Sequence, residues 1–244
     1  MSENTAISTD CGPVRIYGRI KYMITLEQVK KNPQILQFIK KTELALKTLS
    51  YTDHGLRHSS IVSERAREIS KDLGLSEKEQ EMSAIAAFCH DMGNFVGRPF
   101  HNYVAAVLFH QVFQQDINPD DLTTIMQAIS YHDEKVRELA LTNPVSAVVI
   151  LADKSDVHRS RVITSDIKEI KSDIHDRVNY AVKSSDLAVD KKNKKIILTL
   201  KIDTKFVPAI EYFEIFTERM ILCRKAAEYL GYNFGLVIND FVLL

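Results

Sequence analysis

Residues 85–91 read Ile85-Ala86-Ala87-Phe88-Cys89-His90-Asp91, and the fold of the chain can be worked out from them. The apolar part is typical of a buried helix, yet it ends on an imidazole next to a carboxylate. Burying such groups without partners costs several kcal/mol. A divalent metal ion would compensate both groups directly, because neutral imidazole and carboxylate oxygen are good ligands for zinc, iron and manganese. A solvated His-Asp pair at a helix end is the alternative, and the rest of the chain has to decide between the two.

The composition is that of an ordinary globular protein. The chain has 244 residues, of which 45% are hydrophobic, enough for one large domain or for one domain with a smaller one appended. Lys+Arg and Asp+Glu number 32 each. The chain therefore has no general basic field that could hold a long nucleic acid, and any anion site must be local.

The cysteines and the hydropathy pattern indicate the cellular compartment in which we expect the chain. Cys11, Cys89 and Cys223 are far apart and form no Cys-x-x-Cys motif. This spacing argues against a disulfide framework or a thiolate zinc site and favours a reducing, cytoplasmic setting. No run of about 18 apolar residues occurs, so we expect no membrane span. Residues 1–22 lack the apolar core of a secretory signal, and we expect them to form a loosely ordered leader.

Capping signals divide the next part of the chain into successive helices. Thr25 and Ser76 each begin a capping box, and Asn-Pro pairs at 32–33 and 118–119 place a cap followed by an N1 proline. The run 145–152 is apolar all round, which predicts the central buried helix. A strand is the alternative for its β-branched residues, but the helical segments around it favour a helix.

The pattern changes after residue 185. Asp166 should begin a long amphipathic helix that continues to Ala181. Short apolar segments, a polar turn and one more helix then make up the rest: a β-hairpin of 187–189 and 196–202, a helix of about 209–230 and a strand of 234–238. We therefore expect a mainly α protein, with a helical domain at 23–185 and a small α/β appendage at 186–244.

Six side chains lie where apolar helical faces meet polar helix ends: His58, His90, Asp91, His101, His132 and Asp153. His58, for example, shares one helical face with Val62 and Ala66. A single histidine on an apolar face is more often hydrogen-bonded in the core than a ligand. Six such residues on successive helices are hard to explain in that way, because a helical core gains nothing from collecting them.

The order His58, then His90-Asp91, then Asp153 after an apolar helix resembles the HD-domain superfamily of metal-dependent phosphohydrolases. The resemblance covers about residues 51–161. It implies an HD-domain helical bundle in which these four side chains bind one metal ion.

Two further histidines extend the resemblance. His101 and His132 match positions at which dinuclear members of the superfamily place extra histidines, so a second ion is implied, with Asp91 as the bridge. The implied cofactors are thus two divalent metal ions. Nitrogen and oxygen donors without sulfur suit manganese, iron, magnesium, cobalt, nickel or zinc, and the sequence does not rank them.

Nearby basic residues are candidates for binding a small phosphorylated substrate: Lys154, Arg159, Arg161 and, in the loop after the His-Asp pair, Arg98. Guanidinium matches phosphate in bidentate fashion, and a solvated cation is the alternative for each. Many superfamily members have a phosphate-binding lysine three residues after the metal-binding Asp, whereas this chain has Asn94. His54, just before the first ligand, is a candidate general acid or an orienting partner, with a surface loop histidine as the alternative.

Three hypotheses for function follow. The first is a phosphohydrolase that cleaves a phosphomonoester or phosphodiester, such as a nucleotide, with a metal-activated hydroxide and with Asp91 as a catalytic residue. The second is a di-iron oxygenase of the same fold, because some relatives with a similar ligand set activate O₂. The third is a non-catalytic module that senses a nucleotide. In each case we expect neither a long nucleic acid nor a membrane as partner, and strand edges in the appendage suggest a homodimer.

Overall fold

The structure, a computed structural model, describes residues 24–243. The predicted leader and Cys11 lie outside these residues. Seven helices form the first part of the described chain: α1 Leu26–Lys31, α2 Pro33–Thr48, α3 Leu56–Leu73, α4 Glu77–Cys89, α5 His101–Phe113, α6 Pro119–Tyr131 and α7 Pro144–Lys154. The order of these helices confirms the helical interpretation, including the choice of helix over strand for 145–152.

The helices begin where the capping signals predict. The side chains of Thr25 and Ser76 accept hydrogen bonds in complete capping boxes, and Asn32 and Asn118 cap helices that have proline at the first turn. Asn143 caps α7 in the same way. Each cap satisfies backbone N–H groups that have no partner within the helix, so the start of each helix is set locally.

The core of the bundle is built around α4 and α7. Every residue from Met82 to Cys89 is buried, and so is every residue of α7 except Pro144. Alanines at 84, 86 and 87 allow neighbouring helices to approach α4 closely. The two buried helices both end at the same region, where α4 is followed by His90 and α7 contains Asp153 near its last turn.

A four-stranded sheet and three more helices complete the described chain: η1 Arg159–Arg161 (a 3₁₀ turn), α8 Ile167–Ser172, α9 Ile174–Ala181, β1 Val182–Asp190, β2 Lys195–Ile202, α10 Ala209–Tyr229, β3 Asn233–Ile238 and β4 Phe241–Val242. The strand order is β1-β2-β3-β4, with β2 and β3 parallel and the other pairs antiparallel. Helix α10 connects the two parallel strands and also packs against α7. The mainly α fold with a small α/β appendage is confirmed.

Two details differ from the expectations. The long helix predicted from Asp166 is wrong: it is divided into α8 and α9 at Asp173, which has extended backbone angles and whose side chain accepts a hydrogen bond from the Asp176 N–H. An aspartate side chain competes for backbone donors in this way and favours a helix start over a helix interior. In addition, β1 begins at Val182, so the predicted boundary at 185/186 falls inside a strand.

Two other expectations concern the sheet edges and the helices. β1 and β4 form the two edges of the sheet, and a homodimer through one of them stays a prediction. Among residues 24–243, no helix combines the length and apolarity needed to cross a bilayer.

Candidate metal centre

Six buried imidazole and carboxylate side chains converge at one end of the bundle. They come from the first turns of α3 and α5, from the ends of α4, α6 and α7, and from the turn after α4: His58, His101, His90, His132, Asp153 and Asp91. All six are the residues predicted as metal ligands. The sequence positions span nearly a hundred residues, yet the donor atoms form one cluster with two halves.

The inner half consists of His58, His90, Asp153 and one oxygen of Asp91. The Nε2 atoms of His58 and His90 are 3.2 Å apart. Asp153 Oδ1 lies 3.4 Å from the Nε2 of His58 and 3.6 Å from that of His90, and Asp91 Oδ2 lies 3.5 and 3.2 Å from the same two atoms. Two nitrogens and two oxygens thus face a common centre.

The outer half consists of His101, His132 and the other oxygen of Asp91. The Nε2 atoms of the two histidines are 3.2 Å apart, and Asp91 Oδ1 lies 3.2 Å from the first and 3.6 Å from the second. Asp91 therefore offers one carboxylate oxygen to each half, as a bridging ligand does.

The remaining ring nitrogen of each histidine is bound to an acceptor. The Nδ1 atoms of His90, His101 and His132 donate to the backbone carbonyls of residues 87, 98 and 129, and His58 Nδ1 donates to Asp156 Oδ2 at 2.7 Å. Carbonyl and carboxylate oxygens only accept, so the proton of a neutral ring stays on Nδ1. In its neutral form each of the four rings therefore directs its Nε2 lone pair at the centre, which is the tautomer that metal ligation needs.

The donor chemistry fits divalent metal ions. Pairs of Nε2 lone pairs at 3.2 Å repel one another unless a cation lies between them. Tetrahedral donors at about 2.0–2.2 Å from a shared ion are about 3.3–3.6 Å apart, close to the separations of 3.2–3.6 Å in both halves. Groups of three donors that could hold an ion occur in each half.

The electrostatics of the cluster favour positive charge. Burial opposes protonation of His90, but the carboxylates of Asp91 and Asp153 outweigh it and raise its pKa to about 10. Burial likewise opposes the charge on Asp91, yet His90 and the outer histidines hold its pKa well below the usual range. In the outer half, burial lowers the pKa of His132 to about 4, so this ring is neutral at physiological pH.

Gly93 lets the turn after α4 reach α5. A Cβ atom at this position would lie 2.2 Å from the carbonyl oxygen of His101. The absence of a side chain therefore permits the close approach that brings Asp91 beside His101. Asn94, in the same turn, donates from its amide to Asp91 Oδ1 at 2.9 Å, so the residue that departs from the superfamily pattern holds the Asp91 carboxylate.

Lys154 is engaged by carboxylates. Its ammonium lies 2.8 Å from Asp153 Oδ2 and 3.2 Å from Asp133 Oδ1. This contact leaves Asp153 Oδ1 directed at the histidines of the inner half. The prediction that Lys154 binds phosphate stays a prediction; in this structure its contacts orient Asp153.

The other predicted substrate-binding residues lie at different distances from the cluster. Arg98 donates to Asn94 Oδ1 at 2.9 Å and lies 3.9 Å from Asp91 Oδ1. Arg161 is buried and donates to the backbone carbonyls of residues 53 and 156. Arg159 stacks over the ring of Tyr180 at 5.3 Å and, among the described residues, does not line the cavity next to the cluster.

His54 is buried beside the cluster, 5.6 Å from His58 between ring centroids. Its Nδ1 donates to the carbonyl of Thr52. Burial, followed by the charge of Arg161, holds its pKa well below the usual value. A neutral His54 can accept a hydrogen bond at Nε2, and this favours an orienting role over a general acid.

A cavity of about 380 Å³ adjoins the cluster. His54, Arg98 and Arg161 line it, together with Tyr51, Phe216 and Arg219. A second cavity of about 740 Å³ is lined by Asp133, Lys154 and again Arg219.

The sequence analysis did not predict three of the residues that lie beside the centre. Asp133 follows His132 directly, and Asp156 is three residues after Asp153, so spacing could have found both. Arg219 lies far along the chain on α10, and its place beside the centre depends on how α10 packs against α7.

Comparison with known proteins agrees with the geometry. The family model described as HD domain matches residues 55–158, which include all six donors. An uncharacterized protein of Methanocaldococcus jannaschii is 25% identical over a segment that covers 55% of this chain. The segment spans 60% of that relative's own length, so the relative adds a sequence likeness and no activity.

Proposed function

We propose that the chain is a phosphohydrolase of the HD-domain superfamily of metal-dependent hydrolases, whose domain residues 55–158 form. The bond cleaved is a phosphomonoester or phosphodiester of a small substrate such as a nucleotide. The observation that carries the proposal is the position of Asp91, whose two oxygens face two separate sets of histidines.

The residues would hold two divalent ions. The inner half, with four donors, would hold one, and the outer half, with three, the other. Such ions, when bound, supply a hydroxide near neutral pH and stabilise the charge of a phosphoryl displacement. Their identity among manganese, iron, magnesium, cobalt, nickel and zinc is a matter for measurement.

The chain's own residues orient the centre and bind the substrate. Asp156 and three backbone carbonyls hold the imidazoles in the ligating tautomer. Lys154 and Asn94 hold the carboxylates of Asp153 and Asp91. Arg98, next to the outer half, is positioned to neutralise a phosphate oxygen, since a charge-assisted bidentate contact is strong and geometrically specific.

The cavity lining favours an anionic substrate. Arg98, Arg161 and Arg219 surround a space that opens beside His54. Guanidinium groups suit a phosphate ester, and they also suit the phosphonate whose C–P bond a di-iron oxygenase of this fold would cleave, so metal content and oxygen uptake separate these two reactions. A sensing module that binds a nucleotide without turnover uses the same cavity, and turnover separates it from an enzyme.

The test is metal analysis of the purified chain, followed by a phosphate-release screen over nucleotides and phosphate esters with Mn²⁺. We expect release by the wild type and a fall of more than about 100-fold in Asp91→Ala. Loss of a residue that only orients a metal ligand already lowers metal affinity or activity by about 10- to 100-fold. His110→Ala on α5 serves as control. Release that persists in Asp91→Ala, or no release from any substrate, would contradict the proposal.

A further inference from the structure

Three arginines from distant parts of the chain line the cavity beside the metal centre. Arg98 comes from the turn before α5, Arg161 from η1 and Arg219 from α10. Asp173 is the one acidic residue among the lining residues that the structure describes, and its carboxylate caps α9. The cavity therefore has an excess of positive charge.

The three guanidinium groups differ in their protein partners. Arg161 donates to backbone carbonyls on two sides, and Arg98 donates to Asn94. Arg219 lies over the ring of Phe216, with 4.7 Å between its guanidinium carbon and the ring centroid. Within residues 24–243 no hydrogen bond or salt bridge engages Arg219, so its donors are available to a ligand.

Arg219 lines two cavities. It lines the cavity that contains His54 and Arg98, and it also lines the larger cavity at Asp133 and Lys154. Burial, followed by the charge of Arg161, lowers its pKa. Like charges brought together in a partly buried space are stabilised when an anion lies between them.

We propose that Arg219 forms a subsite for a second phosphoryl group of the substrate, to which Arg161, held by backbone carbonyls, adds positive charge. The inference rests on the proposed function, because the first phosphoryl group would lie at the metal centre beside Arg98. The substrate class is then an organic bisphosphate or a nucleoside diphosphate rather than a simple monophosphate. Tyr51 and Phe216, which line the same cavity, provide apolar surface for the organic part.

Binding of inert analogues tests the subsite without turnover. The probes are methylenebisphosphonate and methylphosphonate, measured by calorimetry on the purified chain with its metal loaded. We expect Arg219→Gln to weaken methylenebisphosphonate by about 10- to 100-fold, the range for a lost charge-assisted hydrogen bond. Methylphosphonate should change by less than about twofold, because its single anionic group would lie at the metal centre.

Matched variants keep the test sharp. Arg224→Gln lies on the same helix with its side chain exposed and paired with Glu228, and it should leave both probes unchanged. Arg219→Lys keeps the positive charge but cannot donate two parallel hydrogen bonds, so it should give an intermediate loss of affinity for methylenebisphosphonate. Melting temperatures of all variants check that α10 remains folded.

The outcomes separate the two proposals. Selective loss of methylenebisphosphonate in Arg219→Gln supports the subsite even if the chain hydrolyses nothing, in which case only the proposed function fails. Equal loss of both probes, or no loss, overturns the subsite whatever the activity. Phosphonoacetate, a third probe, has a carboxylate in place of one phosphonate. If it binds more tightly than methylenebisphosphonate, and if Arg219→Gln weakens its binding more, the assignment of the subsite to a phosphoryl group is overturned.

Discussion

The two halves of the candidate metal centre share Asp91 but are built differently. The inner half has three donors besides Asp91, and charged groups orient two of them: Asp156 contacts His58, and Lys154 contacts Asp153. The outer half has two donors besides Asp91, His101 and His132, and both rings are oriented by backbone carbonyls.

The two halves also differ in how exposed their neighbouring residues are. The donors of the inner half lie between α3, α4 and α7 in the core of the bundle. The outer half is bordered by Arg98 and Asp133, whose side chains are 31% and 41% exposed. More donors and charged orienting partners strengthen metal binding, whereas open neighbours allow exchange and substrate access. We infer that the inner half holds its ion more tightly and that the outer half is closer to the substrate.

Removal of one outer donor should have the largest effect on this comparison. His101→Ala leaves two donors in the outer half and all four in the inner half. We expect metal content to fall from two ions per chain to one. Phosphate release should fall by more than about 100-fold, since a lost ligand costs at least as much as a lost orienting partner. Elemental analysis after gel filtration measures the first quantity.

His110→Ala, on the same helix but outside the cluster, controls for a general effect on α5 and should keep both ions. Two ions per chain in His101→Ala would show that the outer half does not depend on this ring. Loss of both ions would show that the halves bind as one unit, and the distinction between them would then fail.

An intermediate effect is expected from Asp156→Asn. The amide keeps the size of the side chain but removes the negative charge that His58 Nδ1 and Arg57 contact. Affinity for the inner ion should fall by about 10- to 100-fold, the usual cost of losing an orienting carboxylate. Competition with a chelator measures this affinity.

The outer ion should be unaffected in Asp156→Asn, because Asp156 contacts none of the outer donors. Asp186→Asn, an exposed position on β1, is the control and should bind both ions as the wild type does. If the outer ion weakens as much as the inner one, Asp156 supports the whole bundle and not one half.

Much of this arrangement could be predicted from local signals. The caps at Thr25, Ser76, Asn32 and Asn118 fix where helices start, because they satisfy backbone donors within a few residues of themselves. The metal-binding positions follow from polar residues at the ends of apolar helical faces. These features require only helical periodicity, which is visible in sequence.

Features that depend on tertiary packing could not be predicted in this way. Periodicity from Asp166 to Ala181 continues through Asp173, but the carboxylate of that residue finds a backbone donor and starts a new helix. Arg219 is one of many polar residues on an amphipathic helix, and nothing near it in sequence distinguishes it. Lys154 was predicted to bind phosphate by its charge, whereas its contacts with two carboxylates are set by the bundle.

The smallest effect is expected from Asn94→Ala, which acts on the outer half alone. The Asn94 amide donates to the backbone carbonyl of Asp91 and to its Oδ1, the oxygen that faces His101, and not to Oδ2. Asn94 Oδ1 also accepts from Arg98, which borders the outer half. Of these contacts only the bond to Oδ1 reaches a donor atom, so its loss should weaken binding of the outer ion by about 3- to 10-fold, roughly 1 kcal/mol, and leave the inner ion unchanged. Asn193→Ala in the hairpin turn is the control, because the hydrogen bonds of Asn193 go to Asp190 in the same turn, away from the cluster. Stepwise titration of metal into the apo chain resolves the two affinities. An equal loss in both steps would mean that Asn94 sets the position of the whole carboxylate, so that the two oxygens of Asp91 cannot be tuned separately.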